Sequence, residues 1–189
     1  RGLGDVYKRQ VYVKRVLDLG AAGVLFPLIN SAEEAKLAVK STRYPPKGVR
    51  GVGPRRCSSY GLRTPEYFDR ADEVLVVVQI ETREAVRNIF DILGVEGVSA
   101  FFVGPNDLSF SYGLRSWKEE PVLDALERVA EASRSLGVPG GMYCPDDDSL
   151  SYAISLGFKL LALGSDYRYL VTAARARLER ARDLMRSKK

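Results

Sequence analysis

Residues Val76 to Val86 read VVVQIETREAV. The apolar run VLVVVQI (74–80) stops on Glu81, and a helix-like segment, TREAVRNIFDIL (82–93), begins at once. A short, near-continuous apolar run suits a strand covered on both faces, as in a parallel sheet. The helical pattern after it makes a βα unit. The same alternation extends both ways. Upstream, GVLFPLI (23–29) precedes SAEEAKLAVKSTR (31–43), where Ser31 and Glu34 make a capping box. VYVKRVLDLG (11–20) reads as a helix closed by Gly20. Downstream, VSAFFVG (98–104) leads into a loop, GPNDLSFSYGL, and a helix, PVLDALERVAEASRSLG, with Pro121 in its first turn and Gly137 at its end. VPGGMYC, a helix over 147–156, LLALGS and a long C-terminal helix complete about five strands, each with its helix. Two α/β architectures fit: an open doubly wound sheet, or part of a (β/α)8 TIM barrel.

The 189 residues are 46% hydrophobic and 28% charged, which suits one globular domain with a sizeable core. No apolar run approaches the ~20 residues that span a bilayer, and no stretch has the order of a signal peptide. Cys57 and Cys144 make no metal or redox spacing, so a reduced, cytoplasmic setting is expected. The chain has no histidine, which excludes Ser-His and Cys-His triads and His-ligated zinc within it.

The opening RGLGDVYKRQ is the translation of one frame of a common transposase sequencing adaptor. We read residues 1–10 as adaptor-encoded, and 11–189 as the C-terminal part of one barrel domain that begins upstream of Val11. Without those ten residues the net charge falls from +5 to +3. A barrel usually takes ~250 residues, so the expected fold is a partial barrel, about the last five strands with their helices. The basic tail ARARLERARDLMRSKK (174–189) reads as a solvated helix face. Neither nucleic acid nor membrane is an expected partner.

In a barrel the C-terminal strand ends form the active face. Glu81 lies at one such end, and Asp107 lies just past the next, 26 residues along. Adjacent strands then bring two carboxylates to one rim. Such a pair suits a hard divalent cation whose octahedron is completed by substrate oxygens and water. The plainer reading is acids that complement helix N-termini. Gln79 points to the same side as Glu81 if the strand runs through both. The turn Gly104-Pro105-Asn106 can present N–H groups to an anion, or is a simple turn. Ser109 reads as a helix-start cap, and Asp166 as an N-cap. GVRGVGPRR (48–56) lacks the GxxxxGK[ST] pattern, against a nucleotide P-loop. Its arginines suit a carboxylate or phosphate, or plain solvation. Gly140-Gly141 and Gly164-Ser165 lie where many barrels hold phosphate, or are tight turns. Trp117 and Asp146–Asp148 get structural readings.

Together, RYPPKGVRGVGPRR (43–56), VVVQIETREAV (76–86), GVEGV (94–98) and FFVGPNDLS (101–109) resemble the HpcH/HpaI aldolase family in motif order and spacing. The resemblance runs from about Val11 to Asp183. It implies a divalent-metal-dependent (class II) pyruvate aldolase of the phosphoenolpyruvate/pyruvate barrel superfamily, using Mg, Mn or Co. It implies a carbon–carbon lyase that makes or cleaves the bond between a pyruvate enolate and an aldehyde, as in 4-hydroxy-2-oxo-acid cleavage. By the same resemblance Glu81 and Asp107 are the metal ligands, and Gln79 is the glutamine beside the metal. The amides of Asn106 and Asp107 bind the pyruvate carboxylate, and Gly51, Val52 and Gly53 line the aldehyde side. Family members carry a proton-transfer His and an enolate-stabilising Arg on earlier segments. Neither segment is present, so no catalytic residue is assigned here, and this chain alone is expected to be inactive. The family forms homo-oligomers, often with the C-terminal helix on a neighbouring subunit. That helix has an apolar stripe here, Leu170, Ala174, Leu178, Ala181 and Met185. The alternatives are a CoA-ester lyase of the same superfamily, an inactive metal-binding fragment, and a phosphosugar barrel.

Overall fold

The structure is a computed structural model that describes residues 3–186, with side chains from Val11 onward. The side chains of residues 1–10, read above as adaptor-encoded, and the tail end 187–189 lie outside the described residues. The elements are α1 (Leu3–Asp18), β1 (Gly23–Phe26), α2 (Ala32–Thr42), α3 (Thr64–Asp69), β2 (Leu75–Ile80), α4 (Arg83–Arg87), α5 (Ile89–Leu93), β3 (Ala100–Val103), α6 (Pro105–Ser111), α7 (Glu120–Leu136), β4 (Gly140–Tyr143), α8 (Asp147–Ser155), β5 (Leu160–Ala162) and α9 (Asp166–Arg186).

All five strands are parallel, in the spatial order β1-β2-β3-β4-β5. A doubly wound sheet reverses its order at a switch point. This sheet never reverses, so the doubly wound alternative is set aside. Strands added one after another with a helix between them form an arc of a (β/α)8 barrel.

Strand alternation splits the sheet into two faces. Val76, Val78, Ile80, Phe101, Val103 and Met142 face the helices and are fully buried. They pack with Ile89, Ile92, Leu126 and Val129 of α5 and α7 into one core. Gly140 belongs to this layer. A Cβ there would lie 1.8 Å from Phe101 Cζ, so only glycine admits the ring, which meets Phe158 edge-on at 5.4 Å. Gly140 and Gly141 are therefore strand residues, shaped by packing rather than by a phosphate loop. The concave face carries Leu25, Leu75 and Leu160, which are 43%, 53% and 48% exposed.

Several local expectations change. GPNDLSFSYGL is largely helical: α6 starts at Pro105, whose missing N–H suits a first helical position. Ser109 is buried inside that helix rather than capping its start, and its hydroxyl donates to Pro105 O at 2.6 Å. The helix expected over 82–93 is two, α4 and α5, divided at Asn88. Ser31 caps α2 as read, accepting from Glu34 N at 3.2 Å. The Glu34 carboxylate reaches one residue further back than a capping box requires, to Asn30 N at 2.7 Å. Trp117 lies against the Tyr152 ring at 5.4 Å.

Candidate metal centre at the sheet rim

Residues 75, 77 and 79 of β2 face the concave side, and Glu81 continues their parity one residue past the strand. The extended strand therefore delivers Gln79 and Glu81 to the same side. Gln79 Nε2 donates to Glu81 Oε2 at 2.7 Å. Leu28, in the turn after β1, donates its backbone N–H to Glu81 Oε1 at 2.8 Å. Each carboxylate oxygen thus has one donor and a spare lone pair. Thr82 then starts α4, its hydroxyl accepting from Ala85 N at 3.0 Å.

One residue past the next strand, Gly104 stands at the level of Glu81, because Ile80 pairs with Val103. A Cβ on Gly104 would lie 3.1 Å from Gln79 Nε2 and 3.3 Å from Glu81 Oε2. The bare glycine leaves the carboxylate room. Asp107 follows in the first turn of α6 and is exposed, as is Asn106. Glu81 is only 6% exposed. Burial pushes its carboxyl above the usual range, the Leu28 N–H counters this, and the charge of Asp107 raises it further.

The donor set suits a hard divalent cation. Two carboxylates, one buried, repel each other, and a cation between them would relieve both the repulsion and the burial. Among the described residues no group of three or more His, Cys, Asp or Glu is arranged for a metal. Further coordination positions would thus fall to substrate and water, as Mg²⁺ commonly accepts.

Gly51, Val52 and Gly53 do not join this rim. Val49 N donates to Lys40 O and Arg50 N to Arg43 O, both at 2.9 Å, at the C-terminal end of α2. The Arg43 guanidinium donates to Val74 O, just before β2 begins. The loop therefore sits where the strands start, opposite Glu81, and within one chain it cannot line the aldehyde side. Element order carried that signal: a loop after a helix and before a strand lies at the far end of a barrel from the βα loops. Arg50 receives its carboxylate internally. Its buried guanidinium donates to Asp18 Oδ1 at 2.8 Å and to Tyr67 OH at 2.6 Å, and stacks on Tyr44 at 4.6 Å. A cavity of about 380 Å³ beside Leu17, Cys57, Arg63 and Val74 also lies at that far end. The residues that sequence reasoning missed are Leu28, whose amide meets Glu81, and Asn30 behind it. They lie some fifty residues from Glu81, and only sheet pairing brings them there.

Residues 5–173 match the family model described as HpcH/HpaI aldolase/citrate lyase. The chain is 40% identical over 170 residues to the 4-hydroxy-2-oxo-heptane-1,7-dioate aldolase of Klebsiella pneumoniae subsp. pneumoniae, covering 88% of this chain and 64% of that protein. The Shigella flexneri protein of the same name is also 40% identical, with 63% of it covered. The chain thus spans less than two thirds of the length of these relatives. Among solved structures, a HpcH/HpaI aldolase/citrate lyase family protein from Burkholderia cenocepacia J2315 superposes with a TM-score of 0.87 at 33% identity, covering 92% of this chain and 70% of that one. The HpcH/HpaI aldolase from Desulfitobacterium hafniense DCB-2 gives 0.83 at 30% identity, covering 91% and 68%. The chain belongs to the HpcH/HpaI aldolase/citrate lyase family.

Proposed function

We propose that this chain carries the metal-holding rim of a carbon–carbon lyase that splits 4-hydroxy-2-oxo acids into pyruvate and an aldehyde, or joins the two. One observation carries the reading. A carboxylate at a strand end is buried, fixed by two donors, and within electrostatic reach of Asp107 in the first turn after the next strand. A divalent cation, Mg, Mn or Co, held by Glu81 and Asp107 would supply Lewis acidity toward the keto and carboxylate oxygens of pyruvate.

The chain's own residues do the rest by position. Leu28 and Gln79 fix the Glu81 carboxylate, so its free lone pairs have one direction. Asn106 and Asp107 lie in the first turn of α6, where backbone N–H groups have no partner within the helix. In the proposed reaction they would donate to the pyruvate carboxylate. The chain has no histidine, so proton transfer is not assigned to it, and the 189 residues alone are expected to bind metal without turnover. Every residue of α9 is exposed, including the stripe from Leu170 to Met185. That supports a homo-oligomer in which this helix covers a neighbour, and sedimentation of the complete gene product would read it out.

The test of function is pyruvate release from 4-hydroxy-2-oxo-heptane-1,7-dioate by the complete gene product. Release should require a divalent metal and vanish in Glu81→Gln. Cleavage of a citramalyl- or malyl-CoA thioester instead would move the assignment to the CoA-ester lyases. Turnover that survives chelation and Glu81→Gln would overturn the metal reading.

A further inference from the structure

Behind Glu81 lies a polar network that the proposed reaction does not use. The turn between β1 and α2 holds Leu28 at φ +55°, a conformation seldom adopted by a residue with a branched side chain. In it, Leu28 N–H donates to Glu81 Oε1. Asn30 fastens this turn from four directions. Its Nδ2 donates to Leu28 O at 3.3 Å, and its Oδ1 accepts from the Thr82 hydroxyl. Its backbone N–H donates to Glu34 Oε2 at 2.7 Å, and its carbonyl accepts from Asn88 Nδ2 at 2.8 Å. Thr82 is the residue after Glu81, so a ring closes: Glu81, Thr82, Asn30, Leu28 and back to Glu81.

Alone, a left-handed leucine would relax, and its amide would leave the carboxylate. We propose that Asn30 is a positioning residue for Glu81: by tying the turn to Thr82 it holds the Leu28 amide that aims the carboxylate. The inference rests on the reading of Glu81 as a metal ligand. The division of the 82–93 helix at Asn88 fits it, because Asn88 leaves helical geometry with its side chain on the Asn30 carbonyl.

The test is Mn²⁺ binding to the full 189-residue chain, read from the electron paramagnetic resonance signal of free Mn²⁺, with thermal melting in the absence of metal. Asn30→Ala should weaken Mn²⁺ binding roughly 10-fold or more, the scale on which residues that orient a metal ligand act. Thr82→Val, which removes the hydroxyl, should weaken binding as well, and Thr82→Ser, which keeps it, should restore it. A purely structural Asn30 would lower the melting temperature while leaving the affinity of the folded chain unchanged, and that result overturns the proposal. If Asn30→Ala does not fold, the two Thr82 variants decide, and equal affinities overturn it. Glu81→Gln separates the two claims. Binding that depends on Glu81 but not on Asn30 removes the positioning role alone, whereas binding independent of Glu81, or none, removes both.

Discussion

The two faces of one sheet follow different rules. On the helix side, Val76, Val78, Ile80, Phe101, Val103 and Met142 are sealed, and even a glycine is fixed by the shape of a neighbouring ring. On the concave side, leucines stand about half exposed, and Gln79 and Glu81 share a hydrogen bond. Apolar packing sets the position of the backbone, and the concave side uses that rigidity to place polar groups. Stability should therefore reside on one face and ligand chemistry on the other.

The largest expected effect is on the sealed face. Phe101→Ala should cost about 3–5 kcal/mol, the range for deleting a buried aromatic. Leu160→Ala on the concave face should cost less than about 1 kcal/mol, because half of the side chain is already in water. Denaturant melts of the pair would break the comparison if the two losses were equal. Next is Gly140→Ala, which forces a methyl into the Phe101 ring and should cost about 1–3 kcal/mol. Pairing it with Phe101→Leu should recover part of the loss, since the sites touch.

Asp146→Ala should cost about 1 kcal/mol, as loss of an N-cap does. Asp146 Oδ1 accepts from Ser149 N at 2.9 Å, and the Ser149 bonds hold its carboxyl below the usual range. A depressed carboxyl contributes stability above its unfolded value and loses it as pH falls through the folded one. The gap between Asp146→Ala and the unmodified chain should therefore narrow in acid, as pH-dependent melts would show. The smallest effect on stability is expected from Gly104→Ala. Its methyl would press on Gln79 and Glu81 from 3.1–3.3 Å, so the change should appear in Mn²⁺ affinity rather than in melting.

The strands and long helices were legible because apolar runs and 3.6-residue periodicity are local properties. Gly20, Gly137 and Ser31 mark helix ends by backbone or capping chemistry that acts within a few residues. α6 was not legible, because Gly, Pro, Asn, Asp and Ser in GPNDLSFS are turn formers, and burial of Pro105, Leu108 and Ser109 outweighs that preference. That Glu81 and Asp107 share one end of the sheet could be read from strand ends alone, since Glu81 follows β2 and Asp107 follows β3. The Leu28 amide could not be foreseen, because a backbone donor at φ +55° has no signature in residue type. Within this chain Gly51, Val52 and Gly53 lie at the opposite end of the strands from Glu81, which motif resemblance could not show because it carries no direction along the strand, whereas element order does.

The most direct test of the account is a calorimetric titration of Mn²⁺ into this chain, its Asp107→Asn variant and its Glu81→Gln variant, with and without pyruvate. The account predicts one site in the unmodified chain, tightened by pyruvate, weakened in Asp107→Asn and lost in Glu81→Gln. Equal binding by all three proteins, or none by the unmodified chain, would contradict it.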